Sequence, residues 1–395
     1  MAMKDGIVKR GNRWAFVVEL PRDPATGRRR QKWFSGYATR REAVAAREQV
    51  RADLRSETYV ERSRQSVHAF LDDWLAAIEP TIRPATMESY ERYLRLHVRP
   101  RIGAVLLPDL DPVIINKMYA ELLRSGRRDG NGGLKPRTVR YIHTILRRAL
   151  RDAVRWGRLA RNPVDLADPP GSAQAAAPEM ATWDAATLGR FLELSRSSED
   201  FYYPAWHFLA TTALRRGEVL GLRWSDLSND NRRVSIRQTL VCVSHRIEFS
   251  TPKTAKGRRA VVLDENTTDM LIGHRHGQAE AHRLLGVSST EDLVFCLRDG
   301  RPIHPERFSR EFDRRIQRWG LPRIRLHDLR HTWATLALEA GIHPKVVSER
   351  LGHANIGITL DTYSHVTRSM QEEAADRVAE TIVRSNTGAE PYRRV

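Results

Sequence analysis

Apolar and polar residues alternate near the start of this chain. Four apolar residues stand at every second position: Trp14, Phe16, Val18 and Leu20. A period of two predicts a half-buried strand. After a turn rich in proline and glycine, residues 28–34 return as a strongly basic strand. Thr39 and Glu42 form a capping box that opens a helix to about Arg55. Residues 1–60 are therefore predicted to form a small sheet and one helix.

Residues 65–165 have the spacing of amphipathic helices instead. One apolar stripe consists of Val67, Phe70, Leu71, Trp74, Leu75 and Ile78. Pro84 and Pro112 stand where a second and a third helix would begin, because proline is favoured in the first turn. A long basic helix is expected from about Pro136 to Trp156. This part of the chain is predicted to be entirely helical.

The remaining pattern separates a linker from a last domain. Residues 166–180 have linker composition, with an Asp-Pro-Pro-Gly sequence and an alanine-rich run. Residues 181–395 are predicted to be mostly helical, with short strands near 234–250 and 260–263. Near the end, apolar residues recur every four positions and predict a tail helix with one apolar stripe: Met370, Ala374, Val378 and Ile382.

The composition points to a polyanionic partner. The chain has 66 Lys and Arg against 48 Asp and Glu, a net charge of +18. Candidate DNA contacts are Arg28, Arg29, Arg30 and Lys32 on the basic strand and Arg137, Arg140 and Arg147 on the basic helix. Each basic run could also be a merely solvated face. Two cysteines are too few for a disulfide framework, which fits a reducing cytoplasm, and no apolar run is long enough to span a membrane.

Several short segments contain the residue types needed to cut a phosphodiester. In chain order these residues are Arg215, Lys253, His327, Arg330, His353 and Tyr363. Arginine binds phosphate oxygens through a planar fork that stays charged, and a tyrosine hydroxyl can attack phosphorus. No cluster of carboxylates is present to hold magnesium, and the spacing of His274, His276 and His282 does not fit a metal site. We therefore expect no metal and no other cofactor.

In this order, the segments resemble the catalytic motifs of the tyrosine recombinases, the phage-integrase family. The resemblance covers nearly the whole chain and implies that Arg215 and Arg330 bind the scissile phosphate, with His353 donating to a non-bridging oxygen. Glu218 is expected to orient Arg215. The family usually has glycine where this chain has Ala213. That difference could shift a close backbone approach.

The resemblance also assigns the residues that move protons. Tyr363 would be the nucleophile and form a 3′-phosphotyrosine. Lys253, with Lys256, Arg258 and Arg259 as rivals, would protonate the leaving 5′ oxygen. His327 would donate a hydrogen bond and accept a proton, whereas His331, the next residue after Arg330, is expected to point elsewhere on its helix.

By the same resemblance, the chain is multidomain and mainly α. Residues 1–60 would be an arm-type DNA-binding domain with a three-stranded sheet. Residues 65–165 would be a helical, SAM-like core-binding domain, and residues 181–395 a mixed α/β, mostly helical catalytic domain with a tail helix. The expected partners are double-stranded DNA with core-type and arm-type sites, three further copies of the chain in a tetramer on DNA, and an accessory DNA-bending protein or excisionase.

Three other functions compete with integration or excision of a phage or mobile element. A type IB topoisomerase shares the chemistry, but an arm-type domain argues against it. A catalytically inactive DNA-binding protein is disfavoured by the complete set of six residues. A metal-dependent nuclease is disfavoured by the lack of clustered carboxylates.

Overall fold

The computed structural model describes residues 6–22, 26–56, 59–60, 63–176, 180–228, 230, 232–252, 257–287, 291–353, 355–363, 378–379 and 382. The chain divides into two compact units, Met1–Ala177 and Pro178–Val395. The mainly helical fold with a small N-terminal sheet is as the sequence predicts. In the described part of the chain, no helix is both long enough and apolar enough to span a bilayer.

The first unit begins with a three-stranded antiparallel sheet and a helix. The strands are β1 (Ile7–Arg10), β2 (Arg13–Leu20) and β3 (Arg30–Tyr37), in that order across the sheet, and helix α1 is Arg40–Arg55. Phe16 pairs with Phe34 across β2 and β3, and their rings stack at 4.9 Å. The Thr39 hydroxyl accepts a hydrogen bond from the Glu42 amide at 3.2 Å, which caps α1.

Helices make up the rest of the first unit. They are α2 (Val67–Ile78), α3 (Pro84–Tyr93), α4 (Arg99–Ile102), α5 (Pro112–Ser125) and α6 (Pro136–Arg155). The predicted apolar stripe of α2 is buried along its whole length. At the centre of this bundle, the Trp74 indole donates to the buried carboxylate of Asp152 at 2.9 Å.

A π-helical turn, Leu94–Val98, joins α3 to α4. Arg99 bonds back to the Leu94 carbonyl, one residue further than in an α-helix. The wider turn comes directly before Pro100, which has no amide hydrogen to continue an α-helical ladder. With this extra residue, Leu94, Val98 and Ile102 all face the core.

The segment after α6 is packed against its own unit, including the first residues of the predicted linker. Pro163–Leu166 forms a short 3₁₀ helix, and Val164 is buried in the bundle core. Arg147 pairs with Asp165 at 2.6 Å, and Arg140 donates to the Pro170 carbonyl at 2.8 Å. The first residues with linker composition thus still pack on the helical bundle.

Among its described residues up to Tyr363, the second unit contains eight α-helices, a short 3₁₀ helix and two small antiparallel sheets. The helices are α7 (Ala185–Ser197), α8 (Tyr203–Thr212), α9 (Arg216–Leu220), α10 (Glu265–Leu285), α11 (Pro305–Arg318), α12 (Asp328–Glu339), α13 (Pro344–Leu351) and α14 (Ile356–Thr362). The strands are β4 (Arg233–Ser235), β5 (Thr239–Val243), β6 (Arg246–Ser250) and β7 (Ala260–Val262), paired β4 with β7 and β5 with β6.

An aromatic and aliphatic core holds α7, α8 and α11 together, and its centre includes Trp206 stacked on Phe308 at 4.1 Å. Helix α9 lies directly on β5, where Gly217 and Gly221 leave no room for a side chain. Of the predicted tail stripe, Met370 and Ala374 lie outside the described residues, whereas Val378 and Ile382 are helical and exposed.

Candidate active site

Arg330, in the first turn of α12, lies at the centre of the candidate site. Its side chain is only 4% exposed and donates to two backbone carbonyls, Ala213 at 2.8 Å and Leu351 at 2.5 Å. These carbonyls end α8 and α13, so the guanidinium ties three helices together. Burial, reinforced by the nearby charge of Arg215, lowers the pKa of Arg330 to about 9.

Ala213 has a left-handed backbone at the end of α8, with φ 58° and ψ 24°. Such a conformation costs an L-residue roughly 1–2 kcal/mol, which explains why glycine is the residue expected here. Ala213 is nevertheless fully buried, and its carbonyl accepts the bond from Arg330. The left-handed turn therefore helps to fix the position of a charged group.

Arg215 begins α9 and is held by Glu218. Its Nη1 donates to Glu218 Oε1 at 2.8 Å and its backbone amide to Oε2 at 2.9 Å. The Arg215 side chain is 40% exposed and accessible to a ligand. Arg216, by contrast, donates to the Pro305 carbonyl and to the Ser309 hydroxyl, and is part of the fold.

Arg259 is a further member of this network that sequence reasoning considered only as a rival for Lys253. It donates to Glu218 Oε2 at 3.0 Å and to the Arg350 carbonyl at 2.7 Å. Burial opposes ionisation of Glu218, but the charge and hydrogen bonds of Arg259 and Arg215 hold its pKa below the ordinary value. One buried carboxylate thus positions two arginines.

His327 and His353 stand near these cations. His327 precedes α12, and the His353 ring nitrogen Nδ1 lies 2.8 Å from the Thr359 hydroxyl. Part of the His327 surface is open to solvent. Protein nevertheless surrounds much of the ring, and this desolvation, together with repulsion from His331 and Arg330, lowers the pKa of His327 to about 4. Burial and the charges of Arg330 and Arg215 lower the pKa of His353 to about 4. Both rings are neutral at pH 7 and can donate hydrogen bonds without adding charge.

Tyr363 follows α14 and is 1% exposed, packed among small and aliphatic side chains of α12 and α13. Its hydroxyl oxygen lies 2.7 Å from Nδ1 of His331. The expectation that His331 points elsewhere is therefore wrong. Helix geometry separates His331 from Arg330 on α12, but it cannot show that α14 approaches from the other side. Burial raises the pKa of Tyr363 to about 12, against the charge of Arg330.

Lys253 lies outside the described residues, as does Lys256. The structure therefore brings five of the six predicted residues into one unit, at the meeting point of α8, α9, α12, α13 and α14. Among the residues that the structure describes, no group of His, Cys, Asp and Glu could hold a metal ion. The predicted non-ligand His274 instead bonds to the Val294 carbonyl at 2.7 Å.

The basic strand of the first unit presents two faces. Arg28 and Arg29 precede this strand, which begins at Arg30, and all three arginines are exposed. Lys32 instead pairs with Val18 and has its Nζ 5.8 Å from the Phe34 ring, on the face turned toward α1. The opposite face carries Trp33, which is 39% exposed with the Arg10 guanidinium 4.1 Å from its ring. On α6, Arg137, Arg140 and Arg147 are all exposed, and the last two also bond within their own unit.

Comparison with family models places three matches in succession along the chain. An arm DNA-binding domain matches residues 6–54, and the N-terminal SAM-like domain of phage integrases matches residues 67–123. The phage integrase family model matches residues 190–370, which include all six predicted catalytic positions.

Whole-length relatives agree with these matches. The chain is 26% identical to a tyrosine recombinase XerC-like protein of Caldanaerobacter subterraneus subsp. tengcongensis, over 97% of this chain and 100% of the relative. It is 25% identical to the ICEBs1 integrase of Bacillus subtilis, over 90% and 94% of the two chains.

Two solved structures show the same fold. A fragment of the Tn1549 transposon integrase in complex with transposon right end DNA superposes with a TM-score of 0.64 at 20% identity, covering 78% of this chain and 99% of that one. The lambda integrase tetramer bound to a Holliday junction gives 0.54 at 19%, covering 90% and 97%. At such identities, the likeness establishes the fold alone.

Proposed function

The chain belongs to the phage integrase family of tyrosine recombinases, and we propose that Tyr363 is the nucleophile with which it cleaves and rejoins DNA. The protein is a site-specific recombinase. The observation that carries the assignment of residues is the convergence of Arg215, His353 and Tyr363 on the buried Arg330 within one unit. Cations at this place would hold the phosphoryl oxygens while the tyrosine attacks.

The reaction follows from these positions. The Tyr363 oxygen bonds to the scissile phosphorus, and the 5′ oxygen leaves with a proton that we assign to Lys253. A 5′ hydroxyl from the partner strand then attacks the 3′-phosphotyrosine and releases Tyr363. Because the phosphotyrosine conserves the bond energy, the chain's own residues suffice without ATP or a metal. His327 and His353 are neutral donors to the phosphate oxygens.

Formation of a covalent adduct tests the nucleophile. A duplex carrying the core site, nicked beside the scissile phosphate, should trap Tyr363 as a protein–DNA adduct in the presence of EDTA. Tyr363→Phe should bind this duplex as the parent does and form no adduct. Tyr203→Phe, on α8, is the matched control and should form the adduct normally. An adduct on the Tyr363→Phe protein would show that another residue attacks.

We also propose that the first sixty residues bind a separate, arm-type DNA sequence. The exposed arginines of the basic strand and the arm DNA-binding domain match over residues 6–54 support this. Neutralising Arg28, Arg29 and Arg30 should remove protection of arm sequences in footprinting, leave the core footprint, and reduce the salt dependence of binding because fewer counterions are released. Lys32, which the sequence predicts to contact DNA with them, faces α1 and is left unchanged. Arg190→Gln, on exposed α7 surface, should change neither footprint. Unchanged protection of the arm sequence in the neutralised protein would refute arm binding by this strand.

Assembly into a tetramer on DNA is the finer proposal for partners. The lambda integrase tetramer on a Holliday junction supports it, as do the exposed apolar residues Val378 and Ile382 of the tail. Deleting the residues from Arg368 onward should impair synapsis of two sites more than binding of one. Normal synaptic complexes in the truncated protein would contradict this role. We further propose that the protein acts in the cytoplasm and integrates the DNA of a phage or mobile element. An accessory DNA-bending protein or an excisionase would assist it.

A further inference from the structure

A histidine outside the six predicted residues contacts the reacting oxygen. His331 Nδ1 and the Tyr363 hydroxyl lie 2.7 Å apart, a distance typical of a strong hydrogen bond. With the ring proton on Nε2, the hydroxyl donates to Nδ1. Neither His327 nor His353 is hydrogen-bonded to this hydroxyl in the described part of the chain; His353 bonds to Thr359 instead.

The buried tyrosine needs a proton acceptor. A phenol is mostly protonated at neutral pH, and burial of Tyr363 raises its pKa further, to about 12. Attack on phosphorus requires that this proton leave as the new O–P bond forms. A base within hydrogen-bond reach usually contributes about 10²–10⁴ to the rate of such a step.

We propose that His331 is the general base that takes the proton of Tyr363, and this proposal rests on the proposed function above. As the Tyr363 oxygen bonds to phosphorus, its proton moves to His331 Nδ1 while the bond from phosphorus to the 5′ oxygen breaks. In rejoining, a 5′ hydroxyl attacks the phosphotyrosine, and the imidazolium returns its proton to the departing tyrosine oxygen. After one cleavage and one rejoining, His331 is therefore back in its neutral form.

Nearby charges suit His331 to this role. Asp328, only 3% exposed, stands one turn earlier on α12, and its charge favours the protonated ring. Arg325 fixes that carboxylate through Nε at 2.9 Å and Nη2 at 2.7 Å. Burial and the charges of Arg330 and Arg325 oppose protonation and lower the pKa of His331, so the ring is free to accept a proton at neutral pH.

Chemical rescue and a modified leaving group test the proposal. The probe is the nicked core-site duplex with either an ordinary phosphodiester or a sulfur in place of the 5′ bridging oxygen, because a thiolate leaves without an acid. His331→Ala should slow adduct formation by about 10²–10⁴ on both duplexes. Added imidazole should restore the rate in proportion to its free base. His331→Asn keeps a side chain able to accept the hydrogen bond but not the proton, and should stay slow even with DNA binding intact.

Matched measurements separate the possible failures. His276→Ala, at an exposed site on α10, should form the adduct at the parental rate and not respond to imidazole. If His331→Asn formed the adduct at the parental rate, the proposal would be wrong. A rate above the parental one would also overturn it, because it would show that His331 only restrains Tyr363. If His331→Ala regained the parental rate only on the duplex with the sulfur leaving group, His331 would be the proton donor to the leaving group. That result would also overturn the proposal. If the parent protein itself forms no adduct, the proposed function fails instead.

Discussion

Replacing Gly217 by alanine tests how α9 positions Arg215. A Cβ at Gly217 would lie 2.5 Å from the Thr239 hydroxyl and 2.6 Å from the Leu240 carbonyl oxygen. The hydroxyl can rotate away, but the carbonyl belongs to the backbone of β5. Ordinary van der Waals contact begins at 3.4 Å, which is 0.8 Å more than the 2.6 Å between this Cβ and the Leu240 oxygen. Helix α9 and strand β5 would therefore have to separate by about 0.8 Å.

We expect Gly217→Ala to reduce both stability and cleavage. Overpacking typically costs about 1–3 kcal/mol, more than the roughly 1 kcal/mol by which alanine is favoured over glycine in a helix. Arg215 is the N-cap of α9 and moves with it. A misplacement near 1 Å can lower a rate by about 10²-fold, so adduct formation should fall by that order.

Urea unfolding and single-turnover adduct formation measure the two effects. Gly189→Ala is the matched control, because it lies within α7 and a Cβ there would meet nothing within 4 Å. This control should gain about 0.5–1 kcal/mol and cleave at the parental rate. If Gly217→Ala is as stable and as active as the parent, the contact between α9 and β5 does not position Arg215.

Three further predictions concern the same site. Arg330→Lys should lower the adduct rate by about 10²–10³, because lysine lacks the fork that reaches two carbonyls and the phosphate; a near-parental single-turnover rate would exclude Arg330 from the pocket. Ala213→Val should cost about 1–3 kcal/mol in urea unfolding, since a β-branched residue is strained at positive φ, whereas Ala213→Gly should be nearly neutral; equal stability of the two would contradict the left-handed turn. The free energy of unfolding should decrease as pH is lowered from 6.5 toward 4, because the unfolded chain then binds protons at His327 and His353 that the native chain does not. His353→Gln should make the free energy of unfolding less dependent on pH, and an unchanged pH dependence in this variant would contradict the role of His353.

Local patterns in the sequence were enough to predict most elements of the fold. The apolar stripe of α2 is buried as its spacing requires, and so are Phe16, Val18 and Leu20 of the period-two strand, whereas Trp14 is half-buried. The Thr39 cap also forms as predicted. These features succeed because each depends on residues only a few positions apart.

What the sequence could not show depends on packing between distant segments. His331 meets Tyr363 because α13 packs against α12 and α14 packs against α13, which brings Tyr363 at the end of α14 back to α12. Arg259 reaches Glu218 across 41 residues of chain. The face of Lys32 is a different case. It stands two residues before Phe34, and strand periodicity could have placed it on the inner face.

The π turn at Leu94–Val98 has a consequence for comparing this chain with its relatives. Removing one residue there would let the turn close as an ordinary α-helix, and the later positions would keep their direction, because five residues in a π turn advance the chain by about as much as four in an α-helix. Ile102 would then stay in the core that it now shares with Leu94. A one-residue gap at this place therefore shifts the sequence register of the later positions without changing which side of the helix is buried. Alignments through this segment should match inward-facing positions, even where that requires an insertion.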